Sequence, residues 1–390
     1  MIKPIINYLE TRACAPAYSG WVLGAIAICF FGAAINTMAG WLYVISGLSC
    51  AILGVAAILP SRSLSGLTVS RHSIEPVTVG EDLRIELEIT NPSERTVSLL
   101  KIEDILPLRL KNKLDRKPTE HTIDRIAPQN NYQWEYYYST EHRGIYRWQT
   151  VQLKSGAPFG LFWSRRDRNC QATAVVYPQI LPLVNCPLID EIGQDESRRS
   201  NYQGNPAYTA TEGLIRSLRP YRTGDPIRLV HWRTSARYGE LRVRELEMIT
   251  GGQDIAIALD SGTKWDEENF EQAVITAASL YFYAQRQQIN VQLWTAGTGL
   301  IKAGNLRILE TLAATSPLED AITTEVPKLP FIWLTENPAT LTSLPNGSRW
   351  ALWQNSASSQ SRQIINREIP GLIISKEEQL QIQLQTTKNI

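Results

Sequence analysis

The residue types best suited to chemistry are concentrated in one arginine-rich stretch of the chain. Eight arginines and no lysine lie between Arg216 and Arg244, and the only acidic residues there are Asp225 and Glu240. A guanidinium group binds carboxylates and phosphates through paired hydrogen bonds, and it stacks on aromatic rings. The stretch therefore predicts an internal network of ion pairs, a docking surface for an acidic protein, or a site for phosphate, nucleic acid or anionic lipid.

The same stretch also contains the best candidates for catalysis. Residues 224–226, Gly-Asp-Pro, predict a tight turn that would let Arg228 and His231 project into one cluster with Asp225. This cluster is an alternative enzymatic or anion-binding site. His231 has no visible nucleophile or paired carboxylate beside it, and Ser235 lacks the Gly-x-Ser-x-Gly context of a hydrolase. We therefore predict no catalytic residues and favour a protein that is not an enzyme.

A long segment near the N-terminus contains no charged residue. No charged side chain lies between Arg12 and Arg62, which is enough for two transmembrane helices of about 20 residues each. We predict helices at Tyr18–Ile35 and Ala39–Leu59, so that residues 18–59 contact the bilayer, with the hairpin tip at residues 36–37. A cleaved signal peptide followed by one anchor is the alternative.

The charges that flank this segment predict its orientation. Lys3 and Arg12 precede it, Arg62 and Arg71 follow it, and the connecting tip has no Lys or Arg. Basic flanks stay in the cytoplasm. We therefore predict a protein integral to a bacterial-type inner (plasma) membrane, with both termini and most of the chain cytoplasmic.

Residues 63–180 have the period-two pattern of half-buried strands. In Asp82–Asn91, apolar and polar residues alternate, and further strands are predicted at Val97–Ile105, at residues 145–154 and at residues 175–177. Such short strands with turns between them predict a β-sandwich-like domain. Four aromatic residues alternate in another strand, and we interpret them as packing rather than as a carbohydrate or nucleic-acid surface: Tyr132, Trp134, Tyr136 and Tyr138.

The C-terminal part alternates short apolar runs with helical spacing. Strands are predicted at Asp254–Leu259, Ile289–Trp294, Phe331–Leu334 and Trp350–Trp353, with helices starting at Asp266 and Gly304. This order predicts an α/β, Rossmann-like domain with a parallel sheet. The predicted domains are thus 1–62 (hairpin), 63–180 (sandwich), 181–250 (linker and arginine-rich segment) and 251–390 (α/β).

The arginine-rich string closely resembles the signature of the bacterial family called domain of unknown function 58. The positions that carry the resemblance are Arg219, Tyr221, Gly224, Asp225, Arg228, His231, Trp232, Ser235 and Arg237. Residues 143–146 and 157–161 also look like motifs of that family, although Ala157 stands where the family usually has Asp. The resemblance brings no activity. It implies a partner, because such proteins are typically encoded near MoxR-type AAA+ ATPases.

Residues 255–262 resemble the first strand and loop of a von Willebrand factor type A domain. In that fold the loop carries Asp-x-Ser-x-Ser, whose oxygens help to bind Mg²⁺. The corresponding residues here are Asp260, Gly262 and Lys264, so only the Asp is kept. We predict no metal and no cofactor, while Ser261 and Thr263 leave a shifted register open.

The composition limits the remaining classes. A net charge of +1, 43% hydrophobic residues and a mean hydropathy of −0.19 argue against a disordered chain and against a polytopic transporter. Five cysteines are too few for a disulfide scaffold, and the net charge does not select nucleic acid. The sequence therefore predicts a membrane-anchored, non-enzymatic interaction or scaffold protein. By the resemblance, it would work with a MoxR-type ATPase in assembly or maturation of a protein complex or envelope component.

Overall fold

A computed structural model describes residues 14–110, 119–192, 214–221, 227–247, 254–321, 329–345, 347–353 and 369–386. It divides the chain into two units, Met1–Pro178 and Gln179–Ile390. Each unit has its own buried apolar core. The finer division into four segments at 62, 180 and 250 stays a prediction.

Two apolar helices follow the short strand β1 (Ala15–Pro16) in the first unit. Helix α1 spans Tyr18–Thr37 and helix α2 spans Gly40–Ser65, and both are long and apolar enough to cross a membrane. Most of their large apolar side chains face outward, and Trp21 is 67% exposed. Small residues lie between the helices, where the Ser46 hydroxyl donates to the Ala27 carbonyl at 2.9 Å. The pair could form a membrane hairpin.

Helix α2 continues six residues beyond its predicted end at Leu59. Pro60 lies inside the helix, and Pro60 and Leu64 are buried. A proline inside a helix removes one backbone hydrogen-bond donor. Packing of the last two turns against the sandwich outweighs that loss, since Leu64 belongs to the sandwich core. The hairpin tip is also displaced, because Thr37 is still helical and Met38 adopts the left-handed conformation with φ 53°.

Two sheets form the sandwich, and residues from both contribute to its cores. One sheet has the order β2-β4-β7, and the other has the order β1-β9-β8-β5-β6 with β3 beside β9. The strand bounds are β2 Thr68–Arg71, β3 Val77–Thr78, β4 Asp82–Asn91, β5 Val97–Asp104, β6 Glu120–Ile126, β7 Asn130–Ser139, β8 Gly144–Ser155 and β9 Phe162–Tyr177. The predicted alternation of β4 is confirmed, because its four inward aliphatic residues are fully buried.

Strand β9 shows where the sequence pattern was insufficient. Only its last three residues were predicted, but the strand has 16 residues and begins at Phe162. Its first half contains three arginines and Asp167, which hides the alternation. The aromatic stripe of β7 packs as predicted: Trp134 and Tyr138 are buried, and the Trp134 and Tyr136 rings stack with centroids 4.7 Å apart.

The second unit contains a six-stranded sheet of order β14-β13-β12-β15-β16-β17. All neighbouring pairs are parallel except β13 and β14, so the predicted parallel sheet is confirmed. The elements of this sheet region are β12 Ile255–Leu259, α3 Glu267–Arg286, β13 Val291–Thr295, β14 Gly299–Ile301, α4 Asn305–Ala314, β15 Phe331–Thr335, β16 Arg349–Trp353, β17 Gly371–Ile374 and α5 Leu380–Gln385.

Strand β12 is the centre of this sheet and is buried on both faces. Ile257 contributes to one core cluster, whereas Ala258 contributes to another that contains Trp294 and Trp333. Continuous burial is typical of parallel strands covered on both sides. The carboxyl ends of β12, β13 and β15 therefore meet at one edge, where Asp260 directly follows β12.

Candidate functional site

The arginine-rich signature folds into a small antiparallel pair with a helix between its strands. In this part of the second unit, β10 spans Leu214–Pro220, β11 spans Arg242–Glu247, and a short helix, here named αS, spans Trp232–Tyr238. The strands pair in antiparallel register, with Arg219 opposite Val243. Sequence reasoning did not predict this pairing, because the arginines mask any apolar alternation in the two strands.

His231 and Ser235 hold αS against the start of β11. The His231 Nδ1 atom accepts a hydrogen bond from the Thr234 amide at 3.2 Å and caps the helix. The Ser235 hydroxyl donates to the His231 carbonyl at 3.0 Å and accepts from the Arg242 amide at 2.9 Å. These contacts give both signature residues a structural role that needs no ligand.

The opposite face of αS is turned to solvent. Trp232 is 61% exposed, and Arg233, Ala236 and Arg237 are also exposed. A spacing of four residues places Trp232 beside Ala236 and Arg233 beside Arg237, and the two pairs lie next to each other around the helix, about 100° apart. We call these four residues the Trp232 face. It combines one large aromatic ring with two cations.

Two of the remaining signature residues, Arg219 and Tyr221, make hydrogen bonds that the structure describes. The Tyr221 amide donates to the Leu241 carbonyl at 2.8 Å, and the Arg219 guanidinium donates to the Pro220 carbonyl at 3.3 Å. Gly224 and Asp225 lie outside the described residues, as does the side chain of Arg228. The predicted His231, Arg228 and Asp225 cluster therefore stays a prediction.

Asp260 lies at the carboxyl edge of the parallel sheet, directly after β12. Its Oδ2 accepts a hydrogen bond from the Thr335 hydroxyl at 2.8 Å, which joins the ends of β12 and β15. The Asp260 carbonyl accepts from Trp265 Nε1 at 2.6 Å and from the Thr263 hydroxyl at 3.1 Å. Burial raises the pKa of the Asp260 carboxyl, and the hydrogen bond from Thr335 limits the rise.

The neighbouring loop positions are taken up by contacts within the protein. The Ser261 hydroxyl donates to Glu319 Oε2 at 2.8 Å and accepts from the Ala296 amide at 3.0 Å. A Cβ at Gly262 would lie 3.1 Å from the Ala296 side chain, and Lys264 is exposed. In the part of the chain that the structure describes, no group of three or more His, Cys, Asp or Glu residues could hold a metal ion.

A buried ion pair in the sandwich was missed by sequence reasoning. Arg71 Nη2 donates to Asp104 Oδ1 at 2.7 Å, and Tyr136 and Trp148 also donate to the Asp104 carboxylate. Burial raises the pKa of the Asp104 carboxyl, and Arg71 limits that rise. A signal was present, because Leu100, Ile102 and Asp104 share the inward phase of β5. The sequence placed Arg71 among the basic residues that flank the apolar segment, but its side chain is buried inside the sandwich.

These features define a sheet-rich protein of several domains with two apolar N-terminal helices and a structured arginine-rich segment. Residues 217–315 match the model of the family described as Protein of unknown function DUF58. This match supports the family resemblance of the arginine-rich segment, and it includes the Trp232 face and the Asp260 loop. A comparison with curated proteins finds no match.

Solved structures give only distant similarities. A CARDB domain from Pyrococcus furiosus is 14% identical, with a TM-score of 0.18 over 27% of this chain and 94% of that domain. The PapD-like domain 7 of human CEP192 is 12% identical, with a TM-score of 0.20 over 29% of this chain and 87% of that domain. Similarity at these TM-scores carries no argument about fold or function.

Proposed function

We propose that this protein is a membrane-anchored, non-enzymatic scaffold that binds an acidic partner protein through the Trp232 face. The observation that carries the proposal is the exposure of Trp232 beside Arg233 and Arg237, on a helix whose other side is fixed by Ser235. Exposed tryptophan and arginine are the side chains most enriched at the energetic centres of protein interfaces.

The two apolar helices would provide the anchor. Their outward-facing aromatic and aliphatic side chains would be costly in water and suit a hydrocarbon environment. The basic residue Arg62 lies in the last turn of helix α2. Basic residues at this end favour a cytoplasmic location for the two folded units.

The partner suggested by the family resemblance is a MoxR-type AAA+ ATPase. The parallel sheet with Asp260 and Thr335 at its carboxyl edge supports a von Willebrand factor type A-like character for the second unit. In this proposal the second unit is the docking part, and the hairpin keeps the complex at the membrane. The process served would be assembly or maturation of a protein complex or envelope component.

Co-purification tests the proposal directly. The full chain, solubilised in detergent with ATP present, should retain a MoxR-type ATPase, and Trp232→Ala combined with Arg233→Gln should lose it. Tyr137→Ala is the matched control, because Tyr137 is an exposed aromatic residue of the sandwich. Equal retention by wild type and the Trp232 variant, or no retention by wild type, would contradict the proposed binding surface.

Orientation needs a separate test. A reporter that is active only outside the cytoplasm, fused after Ile390, should be inactive. Activity of that reporter would contradict the cytoplasmic placement.

A further inference from the structure

The loop between β8 and β9 is pressed against the start of helix α1. The Ala17 amide donates to the Leu161 carbonyl at 2.8 Å, and the Ser19 hydroxyl donates to the Gly160 carbonyl at 3.3 Å. A Cβ on Gly20 would overlap the Leu161 carbonyl oxygen, so glycine is needed for this close approach. Residues 156–161 therefore lie beside the predicted point where α1 enters the bilayer.

The end of helix α2 is held at the same end of the sandwich. Arg166 Nη2 donates to the Ser61 hydroxyl at 2.9 Å, and Arg168 Nη2 donates to the Leu64 carbonyl at 2.6 Å. Ser61 comes two residues after Leu59, where the predicted span ends. The first half of β9 is thus level with the membrane surface if the helices span a bilayer.

The outer face of the larger sheet carries a row of basic residues at this level. Lys101, Lys154 and Arg165 are directly opposite one another on the adjacent strands β5, β8 and β9. Like charges in opposite positions destabilise a sheet unless an anion compensates them. Two acids lie close by: Glu120 pairs with Lys101, and Asp167 Oδ1 is 3.7 Å from Arg165 Nε.

The residue types change in order along this face toward the helices. Next to the basic row, on the side away from α1, is the row Glu103, Gln152 and Asp167. Beyond the basic row come Trp163, beside β1, and the loop with Phe159, which is 57% exposed. Acidic, then basic, then aromatic is the order expected on approaching an anionic bilayer, where phosphates lie above the aromatic layer.

The conformation of the loop between β8 and β9 leaves Phe159 outside the core. The Gly160 amide donates to the Gly156 carbonyl at 2.7 Å, and Gly160 has φ 66°, a conformation that glycine adopts without strain. Leu99, with 40% exposure, lies nearby, because its carbonyl accepts from the Gly156 amide at 3.3 Å. This end of the sandwich therefore presents apolar side chains next to the basic row.

We infer that this end of the sandwich docks on the bilayer surface and binds the headgroups of anionic phospholipids. Phe159 and Leu99 enter the interfacial layer, and Lys154, Arg165 and the exposed Arg62 bind lipid phosphates. The inference rests on the proposed membrane anchoring by α1 and α2. It adds a preference for lipid charge that two apolar helices alone would not have.

Lipid selectivity measured by electron paramagnetic resonance tests the inference. The full chain is reconstituted in phosphatidylcholine bilayers with spin-labelled phosphatidylglycerol or spin-labelled phosphatidylcholine as the probe. Wild type should associate with the anionic probe about fivefold more strongly, and high salt should weaken that preference. Lys154→Gln combined with Arg165→Gln should reduce the preference to near unity.

Arg147→Gln is the matched control, because Arg147 is exposed on the same strand, seven residues farther from the loop. It should keep the wild-type preference. Equal association of both probes with wild type, or an unchanged preference in the double variant, would overturn the inference. Alkaline extraction separates the two proposals. A chain that stays in the membrane without lipid preference contradicts only the headgroup site, and a chain that is extracted contradicts the anchor itself.

Discussion

Arg71 and Asp104 form an ion pair at 2.7 Å inside the sandwich, with side chains that are 1% and 0% exposed. The Arg71 guanidinium also donates to the Cys170 carbonyl at 2.8 Å and lies 5.1 Å from the centre of the Trp148 ring. The pair links β2, the first strand after the two apolar helices, to β5 in the opposite sheet. The position of β2 therefore depends on an ion pair between two residues that lie 33 positions apart in the sequence.

Breaking this pair should destabilise the first unit strongly. Asp104→Ala leaves the Arg71 charge buried without its counterion, and we expect a loss of about 3–5 kcal/mol in the free energy of unfolding. Adding Arg71→Met should recover part of the loss. Denaturant unfolding of the detergent-solubilised chain, followed by tryptophan fluorescence, measures both.

Arg84→Ala, which breaks an exposed pair with Glu135, is the control and should cost less than about 1 kcal/mol. Similar losses for Asp104→Ala and Arg84→Ala would rule out a special role for the buried pair.

The junction between helix α2 and the sandwich depends on Arg168. Its Nε donates to the Leu67 carbonyl at 2.9 Å, and its Nη2 donates to the Leu64 carbonyl at 2.6 Å. Such hydrogen bonds from a charged group contribute about 1.5–3 kcal/mol. Arg168→Gln should speed amide hydrogen exchange in residues 64–70, whereas Arg147→Gln should not. Unchanged exchange would mean that apolar packing alone fixes the junction.

The neighbouring signature residues Trp232 and Ser235 should respond to substitution in opposite ways. Ser235→Ala removes two hydrogen bonds in a buried position and should cost about 1–3 kcal/mol of stability. Trp232→Ala removes an exposed ring, so stability should change by less than about 0.5 kcal/mol. Partner affinity should instead fall by at least about 30-fold. Thermal unfolding and binding titrations on both variants separate the roles. Loss of stability in the Trp232 variant would show that the ring is structural.

Asp260 should make stability depend on pH in a specific direction. Burial raises its pKa in the folded protein above the ordinary value of 3.8, so the folded state holds a proton that the unfolded state releases. The stability that this proton contributes is fully present at pH values below the pKa of Asp260 in the unfolded chain. It is lost as the pH rises through the pKa of Asp260 in the folded protein. Asp260→Asn cannot ionise and should therefore gain stability relative to wild type as the pH rises above the pKa of Asp260 in the unfolded chain. Urea unfolding at several pH values checks this, and parallel curves for the two proteins would contradict it.

Local patterns in the sequence were enough to predict several elements. The uncharged gap between Arg12 and Arg62 indicated two helices, because a long apolar segment without charge can be seen without any tertiary contact. The alternation in Asp82–Asn91 and the helix start at Asp266 are equally local, and the structure confirms both. The end of α2 was missed, because packing against the sandwich keeps the helix intact past Pro60.

Local sequence patterns are enough to predict the order of regions along the chain: apolar helices, a sheet-rich region and an α/β region. Which polar groups meet depends on the tertiary fold. Arg71 pairs with Asp104, Thr335 binds Asp260, and the charged half of β9 holds α2. The physical reason is that periodicity reports which face of an element is apolar. The fate of a charged or polar side chain instead depends on a partner that folding brings from another part of the chain.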